Sequence, residues 1–221
     1  MKYKTLLFDL DGTIINTNEL IINSFLYTLE QFYPGKYTRE AIIPHMGRPL
    51  YEQMLQFGEK ETAQQMVEVY REHNVRTHDE MVMEFPHVKE VLALLKQEGA
   101  ILGIVTTKMK NTVMMGLKLF GLDVLMDTIV TYEDTELHKP APEPVLLAME
   151  RLSADPKTTL MVGDSQYDLQ AAQNAGITSV GVAWSIKGPE FLQQYHPDFM
   201  LYDFRDLINI VKGTKKVDEE N

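Results

Sequence analysis

The sequence predicts an α/β fold: a doubly wound, mainly parallel sheet with a helical segment inserted behind its first strand. Three observations lead there. Residues 4–9, Lys-Thr-Leu-Leu-Phe-Asp, form a nearly continuous apolar run of the kind expected of a strand buried on both faces. From about residue 81 onward, short apolar runs alternate with helix-period segments, which implies parallel pairing through right-handed crossovers. Between these regions, residues 16–80 keep helix spacing and contain no convincing strand.

The first strand stops at Asp11-Gly12, where glycine frees the backbone to turn sharply. Behind it, Leu20-Ile21-Phe25-Leu29 and Met66-Val69-Tyr70 carry apolar residues one helical turn apart. A helix over 87–98 ends at Gly99, in the position of a left-handed cap, and a strand over 101–106 follows. The alternation continues through a helix at 111–120, a strand at 128–131, a helix at 143–152, a strand at 159–163, a helix ending before Gly176 and a strand at 178–183. Residues 1–15 and 81–221 therefore read as a discontinuous core, with 16–80 a helical module inserted into it. The polar tail, 213–221, is expected to fray.

Composition narrows the function. The formal charge of −11 repels polyanions, and no basic stripe offsets it, so nucleic acid is not an expected partner. The longest apolar runs, such as 101–105, fall far short of the roughly 20 residues that cross a bilayer, and no membrane association is expected. A strand is expected within a few residues of Met1, so no signal peptide is expected. The chain has no cysteine, which excludes disulfides, thiolate metal ligands and cysteine nucleophiles and suits a cytoplasmic location. Any nucleophile must be oxygen or nitrogen. The thirteen methionines are expected to fill gaps in the core. The sequence shows no internal repeat and carries no signal of oligomeric state.

In open parallel sheets, ligands bind beyond the carboxyl ends of the strands. Here those ends are polar: Asp9-Leu10-Asp11-Gly12-Thr13, Thr106-Thr107-Lys108, and Gly163-Asp164-Ser165 with Asp168 a turn further on. Lys139 lies in the loop after the third strand, stiffened by Pro140, Pro142 and Pro144. Asp9 and Asp11 alternate on extended chain and so share one side. Carboxylates that close call for a counter-charge, and a cluster of Asp9, Asp11 and Asp164 offers only oxygen ligands, which suits Mg²⁺ better than zinc. Taken alone, Asp11-Gly12 also reads as a plain turn, Asp164 as a helix N-cap and Asp168 as a solvated first-turn carboxylate.

Together these four motifs, Asp9 to Thr13, Thr106, Lys139 before Pro140, and Gly163 to Asp168, resemble the haloacid dehalogenase superfamily over nearly the whole chain. The resemblance implies a Rossmann-like core with a helical cap. It implies that Asp9 attacks phosphorus and forms an aspartyl phosphate, while Asp11 protonates the departing oxygen and later deprotonates water. Thr106 and Lys139 would stabilise phosphoryl charge, and Gly12, Thr13 and Thr107 would contact the substrate. Mg²⁺ would take the Asp9 side chain, the Asp11 main-chain carbonyl and Asp164, with Asp168 as a further ligand or an orienter. Dehalogenases of this fold lack the second aspartate, so Asp11 favours phosphoryl chemistry over halide release.

The insertion is placed to close over the site, which suits a small phosphorylated substrate or pyrophosphate. Within 16–80, six Lys and Arg stand against ten Asp and Glu, so anion recognition there is expected to be local. Arg48 in Gly47-Arg48-Pro49 is the foremost candidate, with Pro49 at the first position of a helix; Lys36, Arg39 and Lys108 are weaker ones. His45 and His138 are expected in structural or solvated roles and Trp184 in packing. Within the superfamily the layout is most similar to inorganic pyrophosphatases and to phosphoglycolate phosphatases. Other small phosphomonoesters, a sugar-phosphate mutase activity and a phospho-accepting regulatory module stay open as alternatives.

Overall fold

The computed structural model describes residues 1–214; the part of the expected frayed tail beyond Thr214 lies outside the described residues. In chain order the strands are β1 (Thr5–Phe8), β2 (Ile15–Asn16), β3 (Met83–Glu84), β4 (Ile101–Val105), β5 (Thr128–Val130), β6 (Thr159–Gly163), β7 (Thr178–Val182) and β8 (Phe199–Leu201). The helices are α1 (Asn18–Phe32), α2 (Arg39–Ile42), α3 (Leu50–Met54), α4 (Lys60–Met81), α5 (Val88–Gln97), α6 (Lys110–Leu119), α7 (Glu143–Leu152), α8 (Gln166–Asn174), α9 (Pro189–Gln193) and α10 (Asp206–Lys212).

Six strands form one parallel sheet in the order β5-β4-β1-β6-β7-β8. Alternation along each strand assigns its two faces to different helices. Leu6 and Phe8 of β1, Leu102 and Ile104 of β4, and Leu160 and Val162 of β6 share an apolar cluster with α5, α6 and α10. Leu7, Val105 and Met161, one step along, pack instead with Val145 and Ala148 of α7 and with Ala171 and Ala172 of α8. Helices thus cover both faces, which is why the strands read as continuous apolar runs and why the doubly wound expectation holds. Gly99 takes φ +92° behind α5, and Ala100 N–H donates to the Leu95 carbonyl at 2.9 Å, closing that helix as its glycine implies.

Two features differ from expectation. The sheet gains an edge strand, β8, whose three residues are too few to display a period. The two passages between the core and the helical segment also pair as an antiparallel ladder, β2 with β3, matching Ile15 with Glu84 and Asn16 with Met83.

Residues 18–81 carry α1 to α4, and α4 runs one residue past the expected boundary of the helical segment. Their apolar faces form a cluster of their own. Phe25 is its fully buried centre, with the rings of Phe57 at 6.0 Å and Tyr70 at 5.0 Å. Met46, Met54 and Met66 are also buried there, in the gap-filling role expected of methionine. From the rest of the chain, Ile186, in the loop after β7, packs against this cluster.

Because this cluster is separate from the two that sandwich the sheet, truncating its centre opens a cavity that the sheet cannot fill. Phe25→Ala is expected to lower the free energy of unfolding by about 3–5 kcal/mol in urea denaturation. A loss below about 1 kcal/mol would mean that Phe25 does not hold these helices together.

Candidate active site

The chain reverses direction across the sheet at β1, passing first to β4 and β5 on one side and then to β6 on the other. That reversal leaves a crevice at the carboxyl ends of the three central strands. Asp9 follows β1, Thr106 follows β4, Asp164 follows β6, and the loop between β5 and α7 brings in Lys139. All four line a cavity of about 250 Å³ whose opposite wall comes from the helical segment, including Met46, Arg48 and Tyr70.

At the floor of this cavity a buried ammonium holds two carboxylates. Lys139 Nζ donates to Asp9 Oδ1 at 2.6 Å, to Asp168 Oδ1 at 2.5 Å and to the Val105 carbonyl at 3.0 Å, which uses all three of its donors. Burial alone would lower the Lys139 pKa, but Asp168 and Asp9 outweigh it and hold the ammonium charged. Burial pushes Asp9 up to about 7, opposed by Lys139 and reinforced by the charges of Asp168 and Asp11. Burial likewise raises Asp164 well above the usual carboxylate range, with the charges of Asp168 and Asp9 adding to the rise.

Asp168 is fixed by local structure as well. Ser165 is the N-cap of α8, and its main-chain N–H (3.0 Å) and hydroxyl (2.6 Å) both donate to Asp168 Oδ2 in a reciprocal capping box. Both Asp168 oxygens are therefore engaged within the protein.

Carboxylate oxygens of Asp9, Asp164 and Asp168 lie within 4.8 Å of one another. Asp164 has little protein support: among the described residues its side chain accepts a single long hydrogen bond, from the Thr13 hydroxyl at 3.5 Å. A Cβ on Gly12 would stand 2.4 Å from Asp164 Oδ2, so only glycine leaves room for that carboxylate. An all-oxygen cluster with one carboxylate so thinly hydrogen-bonded fits a hard divalent cation such as Mg²⁺. The Asp11 carboxylate stands apart from this group. It accepts from Lys108 Nζ at 2.7 Å, which leaves its main-chain carbonyl for the metal role expected of Asp11.

Several expected site residues fall into place differently. Thr107 and Lys108 line the cavity, as does Asp11. Gly12 and Thr13 are buried beside it: the Gly12 N–H donates to the Ile15 carbonyl at 2.9 Å, and the Thr13 hydroxyl is turned to Asp164. Their part is to shape and hold Asp164. Pro49 is the N-cap of α3, not its first residue, and α3 has only five residues. Arg48 therefore has no helix terminus behind it; it reaches the cavity by stacking on Tyr167, whose hydroxyl its Nε meets at 2.5 Å.

Arg39 is bound to Glu19 at 2.6 Å and Lys36 lies over Tyr33 and Tyr37, both off the cavity. His45 packs edge-on to Phe57 and His138 stacks on Tyr132, each with its pKa lowered first by burial. Trp184 packs between Phe85 and Phe204, with its Nε1 donating to the Thr13 carbonyl at 3.3 Å. Sequence reasoning missed Lys187, which lines the cavity from the loop after β7. Its position beyond the carboxyl end of a strand was the signal that could have found it.

The haloacid dehalogenase-like hydrolase family profile matches residues 6–182. A pyrophosphatase PpaX of Bacillus velezensis is 49% identical over 205 residues, covering 93% of this chain and 94% of that one. A pyrophosphatase PpaX of Bacillus cereus is 46% identical over 216 residues, 98% of this chain and all of that one. Among solved structures, a haloacid dehalogenase-like hydrolase from Bacteroides fragilis superposes with a TM-score of 0.87 at 28% identity, covering 93% of this chain and 100% of the other. A predicted phosphoglycolate phosphatase from Haemophilus somnus superposes with a TM-score of 0.86 at 26% identity, covering 95% and 98%.

The carboxylate cluster makes metal-free stability pH-dependent. A carboxylate raised from 3.8 to about 7 on folding contributes stability that is fully present below its unfolded pKa and is lost as pH rises through the folded value. Without divalent ion, the melting temperature is expected to fall between about pH 4 and pH 7 from this group. Mg²⁺ competes with those protons, so the stabilisation it gives, about 2.7 kcal/mol at a hundredfold excess over Kd, should be larger at pH 8 than at pH 5. Calorimetry with and without Mg²⁺ checks this; a magnesium shift that is the same at both pH values would disprove the assignment.

Proposed function

Because the chain belongs to the haloacid dehalogenase-like hydrolase family and is a phosphatase of that family, we propose that it hydrolyses inorganic pyrophosphate with Mg²⁺ through an aspartyl phosphate on Asp9. The observation that carries the chemistry is that Asp9 and Asp11 both line the cavity, with Lys139 Nζ 2.6 Å from Asp9. The substrate reading is supported by likeness to PpaX pyrophosphatases along 93–98% of the chain.

In the first half-reaction an Asp9 carboxylate oxygen bonds to phosphorus as the bond from phosphorus to the leaving oxygen breaks. Asp9 Oδ1 is held by Lys139, while Oδ2 makes no hydrogen bond to the described residues and suits the attack. Lys139 offsets charge as it builds up on the phosphoryl oxygens, and the Thr106 hydroxyl is placed at the neighbouring strand end to donate to one of them. Asp11 gives its proton to the departing oxygen. In the second half-reaction water attacks phosphorus, Asp11 takes its proton, and Asp9 leaves as a carboxylate with phosphate released. Lys108, at 2.7 Å, fixes the Asp11 carboxylate beside the reacting atoms between these transfers.

Asp9, Asp164 and the Asp11 carbonyl would hold the metal, with Asp168 behind them orienting Lys139. Mg²⁺, when bound, supplies positive charge to the phosphoryl oxygens and keeps Asp9 ionised. We take residues 16–80 as a cap over a core of 1–15 and 81–214, a division supported by their separate apolar clusters and by the β2–β3 ladder where the chain crosses. We also place the protein in the cytoplasm, in keeping with a chain free of cysteine.

The test is phosphate release with Mg²⁺ from pyrophosphate, phosphoglycolate, a nucleoside monophosphate and hexose phosphates. Pyrophosphate is expected to lead, Asp9→Asn and EDTA to abolish turnover, and Asp11→Asn to lower kcat by about 10²–10⁴. Preferential release from phosphoglycolate would replace the substrate reading. Interconversion of hexose phosphates without release would replace hydrolysis by phosphoryl return to substrate.

A further inference from the structure

We infer that Arg48 and Lys187 together form a second anion subsite, which selects substrates whose leaving group carries its own negative charge. The inference rests on the phosphoryl-transfer reading above and adds to it the recognition of the other half of the substrate.

The two cations flank one aromatic ring at the seam between the helical segment and the core. The Arg48 guanidinium carbon lies 5.4 Å from the Tyr167 ring centroid and Lys187 Nζ lies 5.6 Å from the same centroid. Both residues line the cavity that holds Asp9. Among the described residues neither forms a salt bridge, in contrast to Lys108 and Lys139, whose charges are already taken by Asp11, Asp9 and Asp168.

Donors are left over at both sites. Lys187 Nζ donates to the Met46 carbonyl at 2.8 Å and to Gln166 Oε1 at 3.0 Å, two neutral acceptors, and an ammonium has three donors. The Arg48 side chain donates through Nε to the Tyr167 hydroxyl, and its terminal nitrogens make no hydrogen bond to the described residues. Burial lowers the Lys187 pKa, and although Asp164 and Asp168 oppose this, the charge of Arg48 adds to it. Two like charges beside one ring, both lining the cavity and neither with a salt-bridge partner among the described residues, are stabilised by an anion bound in that cavity.

The location also suits a leaving group. The transferred phosphoryl is matched by Lys139, Thr106 and the carboxylate-bound cation at the strand ends, whereas Arg48 comes from the helical segment and Lys187 from the loop whose Ile186 packs against that segment. Lys187 already ties that segment to the core through the Met46 carbonyl, so an anion shared with Arg48 would strengthen the same tie. A phosphate or a carboxylate could supply the charge, and substrates with each distinguish them.

The experiment compares kcat/KM for pyrophosphate and phosphoglycolate, which carry a second anion, with phenyl phosphate, which does not, in wild type, Lys187→Met, Arg48→Met and Lys187→Arg. Each methionine variant should lower the ratio of anionic substrate to phenyl phosphate by at least about tenfold, chiefly through KM, and Lys187→Arg should restore most of it. Preference for pyrophosphate marks a phosphate subsite and preference for phosphoglycolate a carboxylate one. An equal fall on all three substrates, or an unchanged ratio, would overturn the subsite.

Absence of wild-type pyrophosphate turnover would count against the pyrophosphate reading alone, because the ratio with phosphoglycolate still tests the subsite. If no substrate turns over, calorimetry with Mg²⁺ decides. Methylenediphosphonate should bind wild type more tightly than methylphosphonate, and Lys187→Met should erase the difference; equal affinities in wild type would refute the assignment.

Discussion

The rest of the site is arranged around one buried ammonium. Lys139 Nζ sits between Asp9 and Asp168, with Asp164 close by, so three carboxylates share one fixed positive charge at the carboxyl ends of the central strands. Ions taken out of water each cost several kcal/mol, and the cost is recovered only when every partner is well placed. Nearby sequence choices follow from that demand. Gly12 gives Asp164 the space that any Cβ would fill, Thr13 offers it a hydroxyl, and Ser165 occupies the Asp168 oxygen that Lys139 does not. With the ammonium counted, the ionised cluster still carries two negative charges, which one divalent cation would balance.

Much of this was legible in the sequence because it obeys local rules. Strands buried on both faces leave unbroken apolar runs, and the step from Leu6 to Leu7 to Phe8 already encodes which helix layer each residue meets. Asp9, Thr106, Asp164 and Lys139 could be placed at strand ends or in the adjoining loop because the chain stops being apolar there. The turn glycines Gly12 and Gly99 stood out for the same reason, each at a positive φ. What the sequence withheld was partnership at long range. Lys108 is 97 residues from Asp11 and Arg48 is 119 from Tyr167, and no periodicity links such pairs.

The residues whose surroundings differ from expectation share a cause. Gly12 and Thr13 belong to the motif that carries the nucleophile, and proximity in sequence suggested proximity to substrate. In the sharp turn that Gly12 permits, the Gly12 N–H is taken by Ile15 and the Thr13 hydroxyl by Asp164. Arg48 was singled out for a helix terminus that is one residue displaced and too short to matter; the side chain reaches the cavity through Tyr167, which sits on α8 next to Asp168. β8 and Lys187 escaped notice because a three-residue strand and a single lysine in a loop carry no pattern of their own.

The charge distribution sets how such a cavity recognises its ligand. A chain with a formal charge of −11 does not draw anions from a distance, and at physiological ionic strength screening confines any attraction to about 8 Å. Recognition therefore has to be a contact property. That places a premium on walls that reach the ligand from two sides: Lys139 and Thr106 from the strand ends, and Arg48 and Lys187 from the seam with the helices. A cation at the seam acts on a ligand only when the helical segment lies against the core, as it does where Lys187 holds the Met46 carbonyl and Ile186 joins the apolar cluster around Phe25. Closure and anion recognition then draw on the same few contacts. A ligand that lacks charge at that point meets the same strand-end chemistry with a weaker hold on the segment that shields it from water.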